Sequence, residues 1–308
     1  MDPDDQAAAD HDSAAGPTAD ALAEGRLRAG LAGGGDLRWA AAELTDIVER
    51  ARQRLDLSPV AAAALGRSMT GAALLLRLAT KTPTRLHLEV RGDGPIRRVL
   101  GEADERGNVR GMVAGRRVDV PHRADGKLDV GGALGRGFLR VRREQPDGSY
   151  DSQVELVSGE IGDDLAHYLE QSEQTRSAVL LGVLGRPAGV AAAGGLIVEV
   201  MPEAGEAAIA RLEANLAAVG GVSRLVEQGG LGEVQSAVLA GLDPVLRDER
   251  PLFYRCRCDR ERLRRHLERL EREELESLRD AAGPLEAECA FCGEIYRFAD
   301  EELSPAGG

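Results

Sequence analysis

The chain's only four cysteines stand near its C-terminus in two tight pairs, Cys256-Arg257-Cys258 and Cys289-Ala290-Phe291-Cys292, thirty residues apart. Two compact turns can thus supply four sulfur donors, enough to complete a tetrahedral Zn(II) site with Zn–S bonds of about 2.3 Å. On spacing alone the alternatives are a structural zinc knob, a redox-active zinc site, an iron–sulfur cluster or a pair of disulfides. The C-x-C pair is unusual, because zinc ribbons generally use C-x-x-C twice. Without metal it can close a small, strained disulfide. Metal binding keeps cysteines as thiolates, and thiolates are the form that oxidants attack. A small domain that folds on its metal unfolds when the metal leaves. Gly293 relieves crowding directly after Cys292, and Tyr296 and Phe298 are expected to cover the site.

Between the pairs, Asp259 is a helix cap, and Leu263, Leu267 and Leu270 share one helical face. Leu275 and Leu278 fall out of that register, so a break is expected near Glu271–Glu273. Charges of alternating sign mark a solvated surface. His266 is read as a surface residue on this helix, since four thiolates already complete a site.

A net charge of −13 with 43% apolar and 3% aromatic residues describes a chain with a large aliphatic core. The charge argues against a general nucleic-acid binder. Residues 1–24, rich in Ala, Asp, Gly and Pro, read as a disordered acidic tail. They have neither the basic start nor the apolar run of a signal peptide. No run of eighteen apolar residues exists, so no membrane span is expected. A cytoplasmic location follows by default, and reducing conditions there make the cysteines ligands or redox groups rather than staples.

Several elements must position this module. Residues 37–57 show helical spacing through Leu44, Ile47, Val48, Ala51 and Leu55. A second, buried helix is expected after Ser58 as N-cap and Pro59 at its first position. From Arg85 the period changes to two, with strands at "RLHLEV" and on both sides of Arg106-Gly107-Asn108. "GFLRVRRE" and "SYDSQVELVSG" form a hairpin turning at Pro146-Asp147-Gly148. "IGDDLAHYLEQSEQ" is helical, and "SAVLLGVLG" and "AAAGGLIVEVMP" are buried strands. Strands mixed with helices without regular alternation give an α+β fold. Residues 25–202 are then an N-terminal α+β domain. Residues 203–250, Ala-rich and broken at Gly220-Gly221 and Gly229-Gly230, are a helical linker of modest stability. Residues 251–308 are the small four-cysteine domain.

Other motifs carry less. Gly92-Asp93-Gly94-Pro95 reads as a turn. The Gly-x-x-Gly-x-Gly at 132–137 lacks a Walker lysine and leads into a strand, which argues against nucleotide binding. Glu160, Asp163 and Asp164 sit where a helix starts, and capping explains them. His87, His122 and His167 are scattered, and no catalytic set emerges; the chain is not expected to be an enzyme.

"FYRCRC" with "ECAFCGEIYRF" is similar to the redox-switch module of the 33 kDa chaperonin family of heat-shock holdases. Residues 157–183, "VSGEIGDDLAHYLEQSEQTRSAVLLGV", resemble that family's most recognisable segment. "LHLEVRGDGPIRRVLGEAD" and "MPEAGEAAIARLEANL" resemble its N-terminal domain and the start of its linker. The resemblance spans about residues 25–303 and leaves out the acidic tail. It implies one Zn(2+) held by Cys256, Cys258, Cys289 and Cys292 in a reduced, inactive or weakly active monomer. It also implies that oxidants form disulfides Cys256–Cys258 and Cys289–Cys292 with zinc release. The switch domain and linker then unfold, and the chain, now a homodimer, binds unfolding client proteins without ATP. Two other classes remain. A dithiol oxidoreductase would place C-x-x-C at a helix N-terminus. A zinc-dependent nucleic-acid or ribosome-binding module would use Arg255, Arg257, Arg260, Arg262, Arg264 and Arg265, and its binding would depend on salt.

Overall fold

The structure, a computed structural model, describes residues 23–79, 83–278, 284–299 and 302–303. The expected acidic tail therefore lies, except for its last two residues, outside the described residues. The chain divides into a larger unit, residues 23–256 with 290–293, and a smaller one containing 257–289 and the described residues from 294 onward.

The larger unit is α+β, as the sequence implies. Its strands are β1 (Glu24–Ala32), β2 (Leu37–Glu43), β3 (Arg85–Gly92), β4 (Arg98–Asp104), β5 (Asn108–Val113), β6 (Gly137–Gln145), β7 (Gly148–Glu155), β8 (Ser177–Arg186), β9 (Gly189–Val200) and β10 (Val245–Tyr254). Its helices are α1 (Thr45–Leu55), α2 (Pro59–Leu78), α3 (Val130–Leu134), α4 (Ile161–Glu173), α5 (Glu206–Ala218) and α6 (Val222–Val238). One ten-stranded sheet runs β7-β6-β3-β4-β5-β10-β1-β2-β9-β8. Its strand pairs are antiparallel except for a short parallel contact, Phe253 beside Asn108 and Tyr254 beside Val109.

Residues 37–43 are a strand, not the start of the expected helix. The sequence LRWAAAE has no polar alternation because β2 is covered on both faces. Leu37, Trp39 and Ala41 face one core, and Ala40 and Ala42 face the other. A strand buried on both sides loses the period-two signal. β9 is shared in the same way, with Leu196 and Val198 on one side and Ile197 on the other. The first core packs α1 and α2 against the sheet, and the second packs α5 and α6. β1 and β10 have no counterpart in the sequence reading. β10 carries Arg247, Asp248, Glu249, Arg250 and Pro251, which mask its strand character.

α2 starts at Pro59 as expected, with Ser58 extended before it. The Ser58 hydroxyl accepts from Val118 N at 3.1 Å instead of capping the helix. By length and composition α2 could cross a membrane, yet 83% of its most apolar window is buried within the fold. It is the central core helix. Gly101 permits its close approach to β4, because a Cβ there would stand 2.2 Å from Ser68 O.

The hairpin tip between β8 and β9 is tied to α1 by Glu49. This carboxylate accepts from Arg52 Nε at 2.8 Å, from Gln53 Nε2 at 2.6 Å and from Val190 N at 2.9 Å. The Arg52 hydrogen bonds above all, with Val190 and Gln53, hold its pKa down to about 2 from an ordinary value of 4.5. A lowered carboxylate pKa contributes stability that is present above the ordinary value and lost as pH falls through the folded one. Glu49→Gln is therefore expected to flatten the decline of melting temperature between about pH 4.5 and 2. An unchanged profile would remove the clasp from the account.

The acids at the start of α4 serve the loop in front of it. Asp164, fully buried, accepts from Val157 N, Ser158 N and Gly159 N at 2.8, 3.0 and 3.3 Å. Glu160 pairs with Arg67 and Arg123 and accepts from Gly131 N at 3.4 Å; its side chain does not cap the helix. Burial pushes the Asp164 pKa up, against the pull of its three amides. The folded state thus binds this proton more tightly, and the group's contribution weakens as pH rises through the raised pKa. Asp164→Asn should keep the fold with a flatter profile in that window. Asp164→Ala should cost about 1–3 kcal/mol by leaving these amides, the buried Gly159 N among them, without their acceptor. Thermal melts of the two variants against pH distinguish these outcomes.

Candidate metal centre

Each cysteine pair is presented by regular structure on both sides. β10 ends at Tyr254, residues 255–259 run on without helix or strand, and α7 (Arg260–Leu267) follows. Asp259 Oδ1 accepts from Arg262 N at 2.7 Å, so it caps α7 as the sequence indicates. α8 (Arg272–Ser277) starts after Glu271, with Glu271 and Glu274 forming a reciprocal capping box. The break between the two helices thus falls at 268–271, slightly before the expected point. β11 (Leu285–Glu288) and β12 (Ile295–Phe298) pair antiparallel and hold the second cysteine pair in the turn between them. Cys289 N donates to Glu294 O at 2.8 Å, closing this knuckle. Gly293 takes φ +70°, which only glycine adopts without strain.

The apolar core of the smaller unit consists of Leu275, Leu285, Phe298 and Leu303, edged by Leu263, Leu267, Leu270, Ala287 and Tyr296. So small a core needs a further staple. The Arg260 guanidinium stacks 4.6 Å over the Phe298 ring and pairs with Glu302. Phe298 thus belongs to this core rather than to the sulfurs.

The Sγ atoms of Cys256, Cys258, Cys289 and Cys292 all lie within 4.8 Å of one another. None is in a disulfide. Cys289 and Cys292 are buried, and Cys256 and Cys258 are half-buried. Tyr296 Oη donates to Cys258 Sγ at 3.3 Å, as its expected covering role requires. Arg110 Nη1 donates to Cys256 Sγ at 3.8 Å. A hydroxyl and a guanidinium aimed at sulfur favour thiolates over thiols. Four such donors can hold a thiophilic metal ion. His266 is exposed and outside the group.

The remaining motifs are structural. Gly92–Pro95 leads from β3 to β4, and Asp93 Oδ1 accepts from Arg136 N at 2.7 Å. The Gly-x-x-Gly-x-Gly stretch runs from α3 into β6. Three residues near the cysteines have no place in the sequence reading: Arg54, Arg110 and Tyr254. Arg54 Nε donates to Cys292 O at 2.8 Å, and Tyr254 Oη to Phe291 O at 2.7 Å. Tyr254 lies two residues before Cys256 and is within reach of sequence reasoning. Arg54 and Arg110 are remote in sequence and give no local signal.

Fold and site together define a class, that of α+β proteins with a C-terminal four-cysteine cluster able to hold a metal ion. The crystal structure of the 33 kDa chaperonin (heat shock protein 33 homolog) from Thermotoga maritima matches with a TM-score of 0.83 at 35% identity. The match covers 90% of this chain and 96% of that one. A 33 kDa chaperonin of Thermus thermophilus is 51% identical over 291 residues, covering 91% of this chain and 85% of that protein. That of Symbiobacterium thermophilum is 46% identical over 276 residues, covering 89% and 94%. The model of the Hsp33 protein family matches residues 25–299, and the chain belongs to the Hsp33 family.

Proposed function

We propose that this chain is a redox-regulated, ATP-independent holdase of the cytoplasm, switched by its four cysteines. Its family gives the chaperone role. The observation that carries the switch is the convergence of the four sulfurs within 4.8 Å without a disulfide. The corners of a tetrahedron with 2.3 Å Zn–S bonds stand about 3.8 Å apart, so the donor set fits Zn(2+). Bound zinc would keep the sulfurs as thiolates and staple the small unit. Cys256, Cys258, Cys289 and Cys292 are its ligands in the reduced state.

A peroxide is a sufficient oxidant. Two thiolates of one pair lose two electrons and form an S–S bond. The peroxide O–O bond breaks, takes up those electrons and two protons, and leaves as two waters. Both pairs react in this way, giving Cys256–Cys258 and Cys289–Cys292. Disulfides are poor donors, so oxidation and metal binding exclude each other. The small unit then loses its staple.

Latent apolar surface supports the holdase reading. The second core, under α5 and α6, buries Trp39, Leu196, Val198, Leu212 and Val234. A layer that lifts from it offers unfolding clients a continuous aliphatic face. The oxidised form associates as a dimer, and the reduced form is a monomer. No catalytic turnover is involved. The C-x-x-C pair sits between two strands, unlike the helix N-terminus an oxidoreductase would use.

The test is light scattering from a heat-unfolded client in the presence of reduced, zinc-loaded or peroxide-treated protein, with zinc release followed in parallel. Suppression by the oxidised form alone, appearing as zinc leaves, is the expected result. Inert protein in both states with zinc retained would reduce the module to a structural knob.

A further inference from the structure

Arg110, on β5, has three unlike neighbours around one guanidinium. Its Nε and Nη2 donate to the two carboxylate oxygens of Glu102 at 3.0 and 2.9 Å. Its Nη1 donates to Cys256 Sγ at 3.8 Å. Its central carbon lies 4.2 Å from the centre of the Phe291 ring. Glu102 is only 3% exposed and also faces Arg85 at 3.5 Å and His87 at 3.6 Å. A bidentate pair to a buried carboxylate fixes the orientation of the guanidinium. Its other edge meets a sulfur of the first cysteine pair, and its face meets a residue inside the second. Arg54 and Tyr254 hold the backbone of that second pair through the carbonyls of Cys292 and Phe291. Carbonyl contacts of this kind depend on how the turn is folded.

We propose that Arg110, seconded by Arg54 and Tyr254, is an interlock that makes each cysteine pair sensitive to the state of the other. The inference deepens the redox reading above and rests on it. An N–H to a thiolate is a charge-assisted bond, whereas a disulfide sulfur is neutral and a weak acceptor. Closing Cys256–Cys258 brings its sulfurs to about 2.05 Å and withdraws the anion that Arg110 holds. Closing Cys289–Cys292 refolds the turn that Arg54 and Tyr254 grip and draws Phe291 from the guanidinium face. Arg110 is thus a positioning residue that loses one of its three partners when either pair reacts.

The test uses the full-length, zinc-loaded chain at a fixed peroxide concentration. Thiol loss at each pair is followed separately by alkylation and mass spectrometry. Phe291→Ala, inside the second pair, is expected to speed oxidation of the first pair, Cys256 and Cys258. Arg110→Met is expected to speed oxidation of the second, Cys289 and Cys292. Each effect should be roughly three- to tenfold, the scale of one ordinary hydrogen bond, and the double variant should fall short of the product. Arg110→Lys keeps the charge but cannot serve Glu102 and Cys256 together, so it should resemble Arg110→Met. Zinc affinity is measured for each variant as well, because a merely structural role would speed the distant pair only as far as it weakens the metal that the two pairs share. Unchanged oxidation of the first pair in Phe291→Ala overturns the interlock, even if Arg110 variants fold poorly. A parent chain that forms no disulfides with peroxide overturns the redox reading instead.

Discussion

Cys289→Ser and Cys292→Ser are each expected to weaken zinc binding by more than the 10–100-fold that loss of an outer-shell partner typically costs. Both sulfurs are buried in a knuckle closed by Cys289 N to Glu294 O. A serine hydroxyl is a hard, neutral donor and a poor substitute for a thiolate. Among the described residues, the core of the smaller unit is four well-buried apolar side chains edged by partly buried ones. Its folding should therefore follow its metal. Chelator competition gives the affinity, and amide exchange over residues 257–299 gives the folding. Both should collapse together, and the Cys289–Cys292 disulfide can no longer form. Parent-like zinc content in these variants would refute the site.

Leu212→Ala is the second large effect. Leu212 is 3% exposed and holds α5 in the second core, with Leu216 half-buried one turn later. Truncating a buried leucine costs about 2–5 kcal/mol, and this layer has little to spare. α6 is interrupted at Gly229 (φ −160°) and Gly230 (φ +60°), so it cannot act as one continuous helix. The loss should therefore fall on the layer before the sheet. Trp39, the chain's only tryptophan, is fully buried beneath it and donates its Nε1 to Leu31 O at 3.1 Å. Its emission should shift to the red at a lower temperature in Leu212→Ala than in the parent. Holdase activity should also appear at a lower peroxide dose. A red-shifted layer with an unchanged dose profile would separate α5 and α6 from the switch.

Particular residues show what the sequence makes legible. The cysteines are plain because a metal site demands a rare residue at short spacing, and the four sulfurs do converge. α2, α4 and the β6–β7 hairpin are legible because period and turn chemistry agree in each. β2 reads wrongly as helix because burial on both faces erases its alternation, leaving an alanine run. β10 stays hidden because exposed charges and Pro251 mask a strand whose pairing comes from β1, more than two hundred residues earlier. Arg110 shows the same limit within the site. Its importance comes from meeting Cys256 across 146 residues, a contact set by the sheet order and not by local sequence.

That sheet order also bears on how the protein is made. β10 stands between β5 and β1 and joins the strands β7-β6-β3-β4-β5 to β1-β2-β9-β8. At about 5–20 residues per second, a ribosome needs roughly 13–50 s to deliver the chain through Tyr254. Until then the nascent sheet has two unjoined inner edges, a state prone to wrong pairing. The cysteines emerge only after the strand that closes this gap. A chaperone built this way is itself a demanding client while it is being synthesised, and its four-cysteine cluster can assemble only after the strand that joins the sheet has been made.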